Sequence, residues 1–360
     1  MQEMQDAAGV DSGRVMRTDF REWPDDLVNL SRKDLVRAYS DGNEGVVVEP
    51  EQDDILLDAM NWKTWADAAS DFGTAGDGEG KLSTPWKFAT KYAPRTFPGP
   101  AQTVGDCVSR AIANAATVSM FVEIELGFRD EESGFPESYD PVPDDSQGVL
   151  ATEHIYGMRG HTRSGASVSR LITAVQKTSG LLQRRVHQVP EMGQVNLTEY
   201  DGLKGQRWGP ATPSCLSSYA CEHQVREVTE IESVEECRDA IANGYGVVVG
   251  SDVAFGSRRD IHGVCRTSSG RWSHCMAFIG SLDDPSDPAC REHGRPLLLC
   301  QTSWGRSVSG NGTHGQPDGS WWVRPRAAAS MIRAGSCYAL SSVSGWYKRE
   351  LPDFGATGVI

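Results

Sequence analysis

The alternation of apolar and polar residues along this chain predicts helices in its first half and strands in its second. A run rich in Ala, Val, Ile and Met predicts a long helix over residues 107–126. Ser233, followed three residues later by Glu236, forms a capping box that predicts the start of another helix. In all, helices are predicted over residues 53–69, 107–126, 167–178 and 233–243, and strands over residues 181–189, 245–255, 276–282, 297–302, 320–323 and 337–342.

The segments between these elements are polar or rich in glycine and proline. Residues 72–81 have the composition of a linker, and residues 130–148 hold seven acidic residues, three prolines and no Lys or Arg. We interpret the acidic stretch as a solvated loop. Residues 1–52 are acidic, with a short helix predicted over 25–39 and a strand or extended arm over 45–49. Helices early in the chain and strands late favour an α+β fold.

Composition and charge narrow the partners that the chain would bind. Its 360 residues, 39% of them hydrophobic, suit one large domain with an extension or two domains. The formal net charge of −14 argues against nucleic acid or an anionic membrane as the main partner. The first residues do not resemble a signal peptide, and no apolar run approaches membrane-spanning length, so a cytoplasmic location is expected.

The nine cysteines are expected to be reduced thiols. No two of them form a Cys-x-x-Cys pair, and no secretion signal is recognisable. Cys290 with His293, and Cys221 with His223, have spacings typical of metal ligands, but neither pair has a matching second pair. We therefore expect no metal and no cofactor.

Cys107 differs from the other cysteines in its position, because it opens the long predicted helix. Unpaired backbone N–H groups and the positive end of the helix dipole favour a thiolate there. Gln102, five positions earlier, can donate a hydrogen bond to an oxyanion beside the Cys107 backbone N–H. Asp106 acts in the other direction, because a negative charge next to a thiol disfavours the thiolate. The alternative interpretation is that Cys107 is only a small buried residue at the start of an apolar helix.

Two later segments offer partners for this thiol. His274 stands at the entry to an apolar strand, from which an imidazole can project into a cleft as a base. After a 14-residue loop comes a second apolar strand, which ends in Thr302-Ser303-Trp304-Gly305. Alone, His274 would be taken as a structural histidine. The segment that follows it favours a catalytic one.

Taken in order, the three segments resemble papain-like cysteine peptidases. That family has a Gln, a Gly-containing turn and a Cys opening a long helix, then a His, and then Asn-Ser-Trp-Gly after a strand. Here Ser303 and Trp304 match, whereas Thr302 replaces the Asn and Val108 replaces the Trp after the nucleophile. The separation from Gln to Cys is also one residue shorter than in the family. The resemblance covers about residues 96–347.

The resemblance implies a two-lobed α+β fold, with a helical lobe packed on an antiparallel sheet or barrel. It divides the chain into an acidic N-terminal extension (1–90), a papain-like domain (91–350) and a short tail (351–360). It assigns roles to six residues of this chain: Cys107 as nucleophile, His274 as base, Thr302 as the group that orients the imidazole, Gln102 as oxyanion donor, and Ser303 and Trp304 as shielding residues.

Three hypotheses follow for the function. The first is a peptidase that binds an extended peptide or protein substrate between the lobes. The second comes from a weaker likeness. Residues 152–157 and the Cys107 segment resemble papain-like proteins encoded among the virion genes of tailed phages. Under this second hypothesis the chain is a catalytically silent structural protein of a phage particle, attached to other protein subunits through its N-terminal extension. In the third, that extension lies in the cleft as a pro-peptide. Gln301 would replace the missing Asn only if the strand register slipped.

Overall fold

The computed structural model describes the middle of the chain, from Trp62 to Leu351, with short gaps. The described residues are 62–94, 96–127, 149–305, 308–334 and 336–351. The helix predicted over residues 25–39, the arm over 45–49 and the acidic loop over 130–148 therefore lie outside the described residues, and so do residues 1–61 of the predicted N-terminal extension.

Helices flank a sheet built from the second half of the chain. The helices are α1 (Trp65–Ser70), α2 (Trp86–Tyr92), α3 (Cys107–Glu125), α4 (Glu153–Gly157), α5 (Val168–Thr173), α6 (Gly202–Trp208), α7 (Ser214–Ala220), α8 (Val234–Ala242), α9 (Pro288–His293) and α10 (Pro325–Arg333). A π-helical turn, Ala174–Thr178, continues α5, and a 3-10 turn, Cys221–His223, continues α7.

The sheet is antiparallel throughout. Its strands are β1 (Leu82–Ser83), β4 (Glu227–Glu230), β5 (Val247–Arg259), β6 (Cys265–Leu282), β7 (Leu297–Gln301), β8 (Ser320–Val323) and β9 (Ser336–Ser341). They are ordered β4-β9-β5-β6-β7-β8, with β1 added to β6. Strands β2 (Val186–Val189) and β3 (Gly193–Asn196) form a separate hairpin. The predicted α+β class is confirmed, and helices packed on an antiparallel sheet are consistent with a two-lobed papain-like fold.

Helix α3 is the centre of the core. Of its 19 residues, 17 are buried, because small and apolar side chains surround the helix instead of forming one stripe. Gly246 lets the sheet approach closely, since a Cβ there would lie 2.2 Å from the Ala115 carbonyl oxygen. The Ser119 hydroxyl accepts from the Gly246 N–H at 2.9 Å and donates to the Leu340 carbonyl at 2.8 Å. These contacts fix α3, and with it Cys107, against β5 and β9.

Helix α3 is also the described helix with the length and apolar composition of a membrane span. In the 18-residue apolar stretch of α3 that meets these criteria, 94% is buried inside the protein. The core helix of a globular protein meets the same criteria, and its burial shows that α3 is a core helix in this fold.

The predicted bounds were close for some elements and wrong for others: β6 begins at Cys265, eleven residues before the predicted strand, so His274 lies within the strand and not at its entry. Helices α3 and α8 were predicted, as was β8. The prediction of an unbroken helix over residues 53–69 is wrong at residues 62–64, because the Thr64 side chain caps α1 by accepting from the Asp67 N–H at 3.2 Å. The predicted loop over residues 283–296 contains α9, whose start carries an Asp287 cap and a proline.

Part of the predicted N-terminal extension packs against the sheet. Strand β1 pairs with the end of β6, and the Trp86 ring is fully buried against Trp322, with ring centroids 6.0 Å apart. The boundary near residue 90 stays a prediction.

Candidate active site

The thiol of Cys107 lies beside the strand that carries the predicted base. Cys107 is the first residue of α3 and is only 5% exposed. The backbone N–H of Cys275, the residue after His274, is near enough to this thiol to lower its pKa. The helix N-terminus and the middle of β6 therefore meet, and two of the three motif segments come together.

The imidazole of His274 is held from two sides. Its Nε2 lies 3.4 Å from the Thr302 hydroxyl and 3.4 Å from the Ser303 hydroxyl. The indole of Trp304 stacks on the ring, with centroids 4.6 Å apart and an interplanar angle of 22°. Trp272 packs edge-on against Trp304 at 4.7 Å. The ring is thereby fixed in orientation and shielded from water.

The other ring nitrogen of His274, Nδ1, is buried and makes no hydrogen bond within the described part of the chain. With Nε2 taken up by the two hydroxyls, Nδ1 is the atom of the imidazole that remains to exchange a proton. The two distances from Nε2 are long for hydrogen bonds, and hydrogen bonds in active sites are often long before substrate binds.

Gln102 is tied to the same loop. Its backbone N–H donates to the Ser303 carbonyl at 2.8 Å, and its side-chain oxygen accepts from the Ser303 hydroxyl. One N–H of the Gln102 amide donates to the Val104 carbonyl at 3.0 Å. The Ser303 hydroxyl thus links the imidazole to the predicted oxyanion donor. The sequence had assigned Ser303 only a shielding role.

Gln301 is used elsewhere. Its side-chain amide donates to the carbonyls of Thr302 and Asp318, each at 3.1 Å. In the backbone, Gln301 is paired with Ala277 between strands β6 and β7. In this register the Thr302 hydroxyl, and not the Gln301 amide, lies by the imidazole.

Burial favours the neutral forms of both Cys107 and His274. It lowers the pKa of His274 to about 3 and raises the pKa of the Cys107 thiol to about 11. The charge of Asp106 adds to the rise in the thiol pKa, whereas the N–H groups of Cys275 and of the helix start lower it. The expected thiolate-favouring effect of the helix N-terminus is therefore present, but desolvation outweighs it.

Asp106 belongs to a small buried network. Its carboxylate lies 3.7 Å from Arg110 Nε and accepts a hydrogen bond from the Tyr200 hydroxyl at 3.0 Å. Burial raises the pKa of Asp106 to about 6, although both partners oppose the rise. The Arg110 guanidinium stacks on the Tyr200 ring at 4.0 Å. The spacing of Asp106 and Arg110, four residues apart on a helix, could have indicated their pairing. No sequence signal points to Tyr200.

The described residues do not form a metal site. Among them, no group of three or more His, Cys, Asp or Glu side chains is arranged to hold a metal ion.

Comparisons with known proteins give distant likenesses. No protein-family model and no curated protein matches the chain. Xylellain, a cysteine protease from Xylella fastidiosa, is 13% identical over 73% of this chain and 86% of its own, with a TM-score of 0.43. The proform of the ragweed pollen cysteine protease Amb a 11 is 14% identical over 92% of both chains, with a TM-score of 0.45. Bromelain from Ananas comosus, in complex with the E64 inhibitor, is 11% identical over 71% and 96%, with a TM-score of 0.41. At these TM-scores the superpositions carry no argument about this chain.

Proposed function

We propose that this protein is a papain-like cysteine peptidase, in which Cys107 attacks a peptide carbonyl and His274 moves the proton. One observation supports this most. The thiol at the start of α3 lies beside the backbone N–H of the residue next to His274, and the imidazole Nε2 lies 3.4 Å from each of two hydroxyls.

The proposed reaction uses each group once. His274 Nδ1 takes the thiol proton as the sulfur forms a bond to the carbonyl carbon, and the carbonyl π electrons move to oxygen. The Cys107 N–H and the second N–H of the Gln102 amide stabilise that oxyanion. The C–N bond breaks, the leaving amine takes the proton from His274, and water then hydrolyses the thioester.

The neutral resting state fits general-base catalysis. With the pKa of His274 lowered to about 3 and that of Cys107 raised to about 11, the pair is imidazole and thiol at neutral pH. The proton therefore moves when the substrate is attacked, and substrate binding has to supply part of the polar environment that stabilises the charges.

The proposal is tested by peptide cleavage with the full chain. We expect a peptide mixture to be cleaved by the wild type, with cleavage lost in Cys107→Ala and in His274→Ala. The matched control is Cys215→Ala, which removes a partly exposed thiol of helix α7 and should leave cleavage unchanged. Cleavage that survives Cys107→Ala would rule out this thiol as the nucleophile.

A silent papain-like structural protein is the second candidate, and one observation favours it. Cys107 is 5% exposed and His274 is 4% exposed, so both groups are covered. If the wild type cleaves no peptide, and iodoacetamide alkylates Cys107 no faster in the wild type than in His274→Ala, this second candidate is preferred.

The phage-particle role remains a narrower proposal that rests on residues 152–157 and the Cys107 segment. In the fold, residues 153–157 form the buried helix α4, and Glu153 pairs with Arg184 at 3.1 Å. Mass spectrometry of purified virus particles would test whether the chain is a virion component with other subunits as partners. Its absence from particles made by a phage that encodes it would contradict that role.

A further inference from the structure

The loop between the two proposed oxyanion donors is joined at both ends to one phenol. The Tyr200 hydroxyl accepts from the Thr103 backbone N–H at 3.1 Å and donates to the Asp106 carboxylate at 3.0 Å. Thr103 follows Gln102, and Asp106 precedes Cys107. One hydroxyl group therefore bridges the residue after the first donor and the residue before the second.

The phenol itself is held firmly. The Arg110 guanidinium lies over its ring at 4.0 Å, and that of Arg184 lies 5.7 Å from the ring centroid. The next backbone N–H, of Asp201, donates to the Glu153 carboxylate at 2.8 Å, and Glu153 is paired with the buried Arg184. Tyr200 thus belongs to a rigid part of the molecule formed by α4 and the start of α6.

Gly202 provides an independent observation of the same close fit. A Cβ at Gly202 would lie 2.4 Å from the Tyr200 hydroxyl, 2.8 Å from Val104 and 2.9 Å from the Thr103 hydroxyl. Such distances are well inside van der Waals contact. The absence of a side chain at residue 202 therefore leaves room for the phenol and the loop to meet.

We propose that Tyr200 is a positioning residue that sets the relative placement of the two oxyanion donors, the Gln102 amide and the Cys107 N–H. The inference rests on the proposed function, because the oxyanion forms only if Cys107 attacks a carbonyl. Tyr200 acts through the loop and touches neither substrate nor the reacting atoms. A displacement of about 1 Å in such a site can cost about a hundredfold in rate.

Two reagents separate this role from a general effect on the thiol. A peptide aldehyde reacts when the sulfur bonds to its carbonyl carbon, the π electrons move to oxygen and His274 takes the thiol proton, so its adduct depends on the oxyanion donors. Iodoacetamide reacts when the sulfur bonds to its methylene carbon, iodide leaves and the thiol proton passes through His274 to solvent, so no oxyanion forms. The ratio of the two rate constants cancels any change in the fraction of thiolate, including a change caused by Asp106.

Tyr200→Phe keeps the ring and removes the hydroxyl. We expect the ratio of aldehyde addition to alkylation at Cys107 to fall by about tenfold or more, since losing one oxyanion donor typically costs about 100-fold to 1000-fold. Gly202→Ala, which displaces the same phenol, should lower the ratio in the same way. Tyr219→Phe, a partly buried tyrosine on α7, is the matched control and should leave the ratio unchanged.

The outcomes distinguish the two proposals. If the wild type forms no aldehyde adduct at Cys107, the proposed function fails and the role of Tyr200 fails with it. If the wild type forms the adduct, and Tyr200→Phe and Gly202→Ala keep the wild-type ratio, only the role of Tyr200 is overturned. Thermal midpoints of both variants, measured alongside, confirm that the compared proteins are folded.

Discussion

At the residue scale, two short hydroxyl side chains lie where the resembled family has one Asn amide. The hydroxyls of Thr302 and Ser303 are both 3.4 Å from His274 Nε2. Since the Ser303 hydroxyl donates its own proton to Gln102, it is free to accept from the imidazole. Under the proposed function, the two hydroxyls together orient the imidazole, and each partly replaces the other.

This shared role predicts that the two substitutions are not additive. Thr302→Ala or Ser303→Ala alone should lower kcat/KM by about threefold or less, because a single hydrogen bond contributes about 0.5–1.5 kcal/mol and the second acceptor makes up most of the loss. The double variant should lose about 100-fold, since a buried N–H then has no acceptor. The measurement is steady-state cleavage of one peptide by all three variants.

Ser330→Ala, which removes a hydroxyl from the surface of α10, is the control for a loss of this kind. A complete loss of activity in Thr302→Ala alone would contradict the shared role. So would a double variant whose loss equals the product of the two single losses.

At the element scale, the position of Cys107 depends on how closely α3 approaches the sheet. Gly246→Ala would place a Cβ 2.2 Å from the Ala115 carbonyl oxygen, and this oxygen belongs to the backbone of a fully buried helix. We expect the free energy of unfolding to fall by about 1–3 kcal/mol, as for other overpacked cores. Urea denaturation followed by circular dichroism measures it.

Gly256→Ala is the matched control on β5, because a Cβ there would meet its nearest neighbour, the Arg266 carbonyl, only at 3.8 Å. Equal losses at residues 246 and 256 would show that the close approach of α3 does not set the cost. A larger loss at residue 246 would support it.

The elements also show how far the sequence could lead. Helix α3 and its first residue were predictable, because a long apolar run and a motif coincide there. The pairing of Thr302 with His274 followed from motif order. Tyr200 was not predictable, because its hydrogen bond to Asp106 joins residues 94 positions apart and no local pattern records that contact. Helix α9 was missed although its Asp287 cap and Pro288 are local signals, because its six residues are too few to show a period.

At the scale of the whole molecule, an acidic chain buries several charged groups in pairs. Glu123 of α3 accepts from Arg349, near the end of the described chain, at 3.0 Å, and both side chains are almost fully buried. Arg238 of α8 pairs with Asp283 at 3.2 Å. Breaking such a pair is costly, because it leaves an uncompensated buried charge. The net charge of −14, summed over the whole chain, therefore says little about how the interior is held.

Buried histidines make the fold sensitive to acid. His154 is fully buried, its Nε2 lies 2.7 Å from the Gly180 carbonyl, and burial lowers its pKa to about 4, as it lowers that of His274 to about 3. In the unfolded chain these groups take up a proton near pH 6.5. Between pH 6.5 and about 4 the unfolded state therefore binds protons that the folded state does not, and stability falls as the pH falls.

Asp106, with its pKa raised to about 6, acts in the opposite direction over part of this range, because its folded form then holds the extra proton. The histidines outnumber it, so we expect the thermal midpoint to decrease steadily from pH 7 to pH 4.5. His154→Gln keeps an N–H donor for the Gly180 carbonyl and removes one titrating group. The decrease between the two pH values should therefore be smaller in His154→Gln than in the wild type, whatever the midpoint of the variant at pH 7. Equal decreases in the two proteins would show that His154 does not contribute to the acid sensitivity.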